Sequence, residues 1–201
     1  TYERASKFLG MDDHWLGRIA GHYRAIGERD KARETYQRFS DQVDGERHVV
    51  SMLREEGKHD EAIAGYRGLI DRDPKRINDY LWAIAECYEG MREWKNAIQA
   101  YRQTDRFPSN YFRMASCHRR LKQYSEAVAL YSQAKSHESS AAEASLQIGY
   151  TYEEANQKQN AIKSFQQTCR AYPKTGQASR AHAHLQTKYD INVTLGGAKD
   201  E

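Results

Sequence analysis

Three cysteines (Cys87, Cys117 and Cys169), eight histidines and adjacent carboxylates such as Asp12-Asp13 and Glu153-Glu154 are residues of this chain whose types could do chemistry. Zinc held by cysteine or histidine needs closely spaced ligand pairs, and a disulfide framework needs an even set of cysteines. Neither pattern occurs: the cysteines are odd in number and none stands in a CxxC. His182 and His184 are two apart on a predicted helix, so they point to different faces and make a poor ligand pair. Nucleophilic catalysis needs a nucleophile, a base and an orienting group within hydrogen-bond reach, and nothing marks such a set. Glycine-rich phosphate loops are missing too. The carboxylate pairs are read as solvated, with Asp12 or Asp13 capping the first full helix. The sequence therefore implies no catalytic residue, no metal ligand, no cofactor and no enzyme.

Composition narrows the class. The 201 residues are 39% hydrophobic and 29% charged, with 13 glycines and 3 prolines. That balance suits an extended helical protein with much solvated surface. Proline is confined to Pro74, Pro108 and Pro173, which leaves long segments free of the residue that breaks helices. A net charge of +3, with both signs mixed along the chain, is too mild for a protein that neutralises many phosphates, so nucleic acid is not expected. No stretch approaches the roughly 18 apolar residues of a membrane span.

The elements that must position everything else announce themselves by repetition. Alanine followed four residues later by an aromatic occurs as Ala32 with Tyr36, Ala62 with Tyr66, Ala97 with Tyr101, Ala127 with Tyr131 and Ala161 with Phe165. An i,i+4 pair shares one helix face, so each repeat sets a small residue beside a large ring. The small residue admits a neighbouring helix and the ring fills the space beside it. Upstream of each pair runs a second helical seam: Leu16, Ile19, Ala20 and Tyr23; Leu81, Ile84, Ala85 and Tyr88; Tyr111, Met114, Ala115 and His118; Ile148, Gly149 and Tyr152. Turn signals separate the two helices at Gly27 to Asp30, Gly57 to Asp60, and in glycine-poor form at Arg92-Glu93, Lys122-Gln123 and Asn156-Gln157. Cys87 and Cys117 fall at equivalent points of successive repeats, roughly one interhelical distance of about 8 to 10 Å apart, and are read as small buried packing residues.

This pattern resembles the tetratricopeptide repeat. The fifth repeat is the fullest match, with Ile148-Gly149, Tyr152, Ala161, Phe165 and Pro173, although Ser145 stands where the family has a large residue. The resemblance implies an all-α, right-handed superhelical solenoid of antiparallel helix pairs. Repeats are placed at 13–42, 43–77, 78–107, 108–141 and 142–174, with a capping helix at 175–189 and a flexible tail at 190–201. The opening phrase "TYERAS" returns 34 residues later as "TYQRFS", so residues 1–12 are read as the end of an incomplete preceding repeat, and the chain as part of a larger protein. The stretch Phe165 to Ala181 is similar to repeat ends of bacterial cell-envelope members, which leaves the compartment open between cytoplasm and cell envelope.

In this family the first helix of each pair lines a concave groove that holds peptides or partner helices. Mapped onto this chain, the resemblance assigns partner-binding roles to Arg24, Arg47, Arg54, Trp82, Glu86, Glu89, Phe112, Arg119, Arg120, Leu146, Tyr150 and Glu153. The Lys and Asn clamp by which some members grip a C-terminal carboxylate is not expected, because those places hold Gly17 and Gly21. The expected role is a scaffold for a protein or peptide partner. The alternative is a structural solenoid that self-assembles into a homo-oligomer through open ends. Related solenoids that read RNA use paired polar residues at fixed places, and these are not found here.

Overall fold

Each helical hairpin closes on a residue with a positive φ. The computed structural model describes residues 12–196. All but the last residue of the segment expected to end a preceding repeat (1–12), and the end of the tail (197–201), lie outside the described residues. Among the described residues there are eleven α-helices, one short 3-10 turn at Pro74–Arg76 and no strand. The helices are α1 (Asp13–Ala25), α2 (Arg29–Tyr36), α3 (Gln42–Glu55), α4 (His59–Ile70), α5 (Ile77–Gly90), α6 (Trp94–Arg102), α7 (Ser109–Arg120), α8 (Tyr124–Ala134), α9 (Glu138–Glu154), α10 (Lys158–Ala171) and α11 (Gly176–Tyr189). The positive φ falls on Gly27 and Gly57 in the first two turns and on Arg92, Lys122 and Asn156 in the next three. All five are the turn positions picked out in the sequence. The left-handed backbone there satisfies the last carbonyls of the helix, as when Gly27 N donates to Arg24 O and Lys122 N to Arg119 O.

The chain divides into two compact units, split between Met91 and Arg92. In the first, α1 packs on α2, α2 on α3, α3 on α4 and α4 on α5. In the second, α6 packs on α7, and the series continues through α8, α9 and α10 to α11, which touches both α9 and α10. Every alanine of the Ala-x3-aromatic motif is fully buried, and its ring partner is at most 4% exposed. Small residues make the close approaches possible. A Cβ on Gly149 of α9 would lie 2.5 Å from Phe165 Cε1, so the glycine is the space into which that ring fits.

Caps fix the helix starts. Asp12 accepts from Trp15 N at 3.1 Å. Asp13, the other candidate cap, reaches instead across to the start of α3, where it accepts from Ser40 N (2.7 Å) and Asp41 N (2.9 Å). Those backbone donors at Asp41 and Ser40 hold its carboxyl below the usual aspartate range. Cys87 and Cys117 are buried free thiols, as expected, and Cys169 is a buried free thiol as well. Burial pushes the Cys87 thiol up to about 11 and the Cys169 thiol upward as well, so both stay protonated and inert.

The tail departs from the expectation of a loose end at Asp190. Val193 is only 7% exposed and joins Leu185, Phe165 and Cys169 in one cluster, with Ile191 packed against it. Ile191 N donates to Leu185 O and Gly196 N to Cys169 O, so the chain stays tied to α10 and α11 through residue 196. The apolar residues at 191 and 193 supply the burial that the helical period did not reveal.

Candidate functional site

The predicted partner-binding residues sort by a position counted from the ring. Twelve residues before the motif aromatic, near the C-terminal end of each first helix, stand Arg24, Arg54, Glu89, Arg119 and Glu153. Several reach to the next helix pair. Arg24 holds both oxygens of Glu55 at 2.5 and 2.7 Å. Arg54 pairs with Glu86, whose other oxygen accepts from Trp82 Nε1 at 3.0 Å. In the second unit Arg119 grips Glu154 and donates to Gln147 Oε1 at 2.9 Å. The hydrogen bond to Glu154 raises the Arg119 pKa above its ordinary value against the opposing effect of burial. The ends of the first helices thus form ladders of charge within each unit.

At the end of the second unit Glu153 and Glu154, expected to be solvated, are both engaged. Glu153 accepts from Tyr189 Oη and lies 3.0 Å from both His184 Nε2 and Lys188 Nζ. Burial acts to raise its pKa, and the hydrogen bonds from Tyr189, His184 and Lys188 outweigh burial, leaving the carboxyl below the usual glutamate range. The His184 ring packs against Phe165 (4.9 Å between centroids) and Tyr150 (5.2 Å). It is a packing and hydrogen-bonding residue between α9, α10 and α11.

The large rings are shared between core and surface. Trp82, Phe112 and Tyr150 are all half-buried. Phe112 meets Tyr131 edge-on at 5.4 Å, and Tyr150 meets Phe165 at 5.2 Å. Arg47 is held by Asp44 at 2.6 Å and lies 3.0 Å from His48, whose ring stacks on Tyr36. Glu89 is half-buried and engaged, and Arg120 is exposed. Leu146 requires correction. It is fully buried among Ala161, Phe165 and Leu185 and offers no surface to a partner. On α9 the family register at that place faces the core, because Gly149 one turn later lets Phe165 come in close.

The candidate residues other than Leu146 thus lie, at least partly exposed, on the first helices of both units. In the first unit Arg24, Arg47, Arg54, Trp82, Glu86 and Glu89 lie on first helices. In the second unit Phe112, Arg119, Arg120, Tyr150 and Glu153 do so. The polar partners Glu55, Gln147 and His184 were missed by sequence reasoning, although the interval of 28 to 32 residues from one first helix to the next is a signal that could have found them. Among the described residues no group of three or more His, Cys, Asp or Glu side chains is arranged to hold a metal ion. No helix there is long and apolar enough to cross a membrane.

Family models described as tetratricopeptide repeat match residues 52–111, 109–138 and 143–175. Among solved structures, the C-terminal part of a TPR repeat-containing protein from Cytophaga hutchinsonii superposes with a TM-score of 0.71 at 14% identity, over 94% of this chain and 81% of that one. MamA gives 0.62 at 16% identity, over 92% of this chain and 100% of that one. YrrB, described as a TPR protein with an unusual peptide-binding site, gives 0.57 at 14% identity, over 90% and 97%. The comparison with curated proteins yields no match.

Proposed function

The chain belongs to the tetratricopeptide repeat family, and on that premise we propose that it is a non-enzymatic scaffold that binds a peptide or partner segment along the first-helix faces of its repeats. The observation that carries the reading is the contrast between the two rings of each of the last three repeats. The second-helix ring is sealed in the core, whereas Trp82, Phe112 and Tyr150 on first helices keep part of their surface open to solvent. Half-open aromatic rings beside charged groups are the usual anchors of interfaces, since such residues carry a disproportionate share of binding energy. The repeat boundaries drawn from the sequence are part of the same proposal, as is the place of this chain within a larger protein. YrrB, with its peptide-binding site, supports the reading by likeness of fold alone.

The test is selection of binding segments by peptide display, followed by affinity measurement on variants. Trp82→Ala or Phe112→Ala is expected to weaken a selected segment by about 2 kcal/mol, roughly thirtyfold. Selected segments that bind both variants as tightly as the parent would sink the proposal. A second reading, stacking of one copy on another, is favoured by the exposure of Trp15 (38%) and Ile26 (57%) on and just after α1. Sedimentation over a range of concentrations separates the two: self-stacking makes the apparent mass rise, and peptide binding alone leaves it constant.

A further inference from the structure

The mild net charge of the chain conceals a division. Residues 12–91 of the first unit carry 13 lysines and arginines against 17 aspartates and glutamates. Residues 92–196 of the second carry 15 against 8. The use of these charges also differs. In the first unit most cations are spent on carboxylates, as in Arg24–Glu55, Arg33–Glu56, Arg54–Glu86 and Arg72–Glu46. In the second, with fewer carboxylates to meet them, the side chains of several exposed cations form no ion pair or hydrogen bond among the described residues, those of Arg120 and Lys122 among them.

Arg120 and Lys122 stand together at the α7–α8 turn, and two clefts open there. One, of about 420 Å³, is lined by Arg119, Arg120, Lys122, Tyr124 and Glu154. The other, of about 630 Å³, shares Lys122 and Tyr124 and continues past Ser125 and Glu126 to Tyr152 and Gln157. Glu154 is neutralised by Arg119, whereas Glu126 accepts from Ser125 Oγ at 2.9 Å and keeps its charge. Arg120 and Lys122 outnumber that one unpaired carboxylate and leave the surface net positive, flanked by the rings of Tyr124 and Tyr152.

We propose that the α7–α8 turn of the second unit is a docking site for an extended acidic protein segment, with its carboxylates on Arg120 and Lys122 and an apolar side chain between Tyr124 and Tyr152. The inference rests on the interaction-scaffold reading but names a different surface, the hairpin turn rather than the first-helix face, and it commits to an anionic partner. Attraction of this type is long-ranged and sensitive to salt.

The probe is a short synthetic peptide of alternating glutamate and leucine, with its glutamine counterpart and a single-stranded RNA oligonucleotide as controls, read by fluorescence anisotropy. The glutamate peptide should bind at least about tenfold more tightly than the glutamine one, and its affinity should fall about tenfold between about 50 and 300 mM salt. Arg120→Glu combined with Lys122→Glu should reduce binding by about tenfold or more with the helical signal unchanged, since both side chains are exposed. Equal binding of the two peptides, or indifference to the double reversal, overturns the proposal. So does tighter binding of the RNA, which would make this a nucleic-acid surface. Salt-sensitive self-association of the peptide-free chain, abolished by the same reversal, would make a second copy the occupant and overturns it too. If display-selected segments lose affinity with Trp82→Ala or Phe112→Ala while the charge reversal has no effect on the glutamate peptide, this inference falls and the scaffold reading stands. The opposite pattern keeps the docking site and removes the first-helix face.

Discussion

Gly149 and Leu146 mark the boundary between what single residues reveal in sequence and what they conceal. Gly149 is legible as part of a helical seam, and its role follows from space, since a methyl group there would lie 2.5 Å from the Phe165 ring. Gly149→Ala gains helix propensity of about 1 kcal/mol but must displace a fully buried ring, and a net loss of about 1 to 2 kcal/mol is expected from a denaturant melt. The same experiment on Ala127→Leu should cost about 1 to 3 kcal/mol, because Ala127 is sealed beside Tyr131 and Ala144. Leu146 was assigned outward because the family register alone cannot tell which way a first helix is rolled. The packing partner that rolls it is Phe165, nineteen positions later in the chain. Partners at such separations also explain why Glu153 was misjudged as solvated.

At the scale of elements, turns and caps were the most readable features and the terminal contacts the least. All five hairpin turns stand where the sequence placed them, because the requirement for a left-handed residue is local. It yields a paired prediction. Gly57→Ala forces a methyl group into a left-handed backbone and should cost about 1 to 2 kcal/mol. Arg92→Ala, at the equivalent position, should be close to neutral, since arginine already bears that strain. Equal costs in thermal melts would contradict this account of the turns. The junction of α9, α10 and α11 was not legible, because it depends on Glu153 gathering His184, Lys188 and Tyr189 from a helix that sequence reading treated as a plain cap. A glutamate with a depressed folded pKa contributes stability that is present above the ordinary glutamate range and is lost as pH falls through the folded value. Glu153→Gln should therefore cost about 1 to 2 kcal/mol near neutral pH. The difference from the parent should shrink steadily as the pH is lowered below about 4.5. A gap that stays constant with pH would mean that the carboxylate charge is not what joins these helices.

At the scale of the whole molecule, the family and the all-α fold were open to sequence reading because five repeats of one phrase carry the same burial pattern. The division into a carboxylate-rich first unit and a cation-rich second one was not, since the net charge averages the two. Nor does repetition say which faces remain open. That depends on ion pairs such as Arg24–Glu55 and Arg119–Glu154, which occupy side chains a sequence reading would leave to a partner. In the proposed function, the half-buried rings of Trp82, Phe112 and Tyr150 are the part of the first helices offered to a partner. The direct measurement is titration of the isotope-labelled chain with a display-selected segment while amide chemical shifts are followed. The account predicts that the shifts concentrate on the first helices, α3 and α5 in the first unit or α7 and α9 in the second, around those rings. Shifts confined to the outward faces of α4, α8 and α10, with the first helices silent, would contradict it.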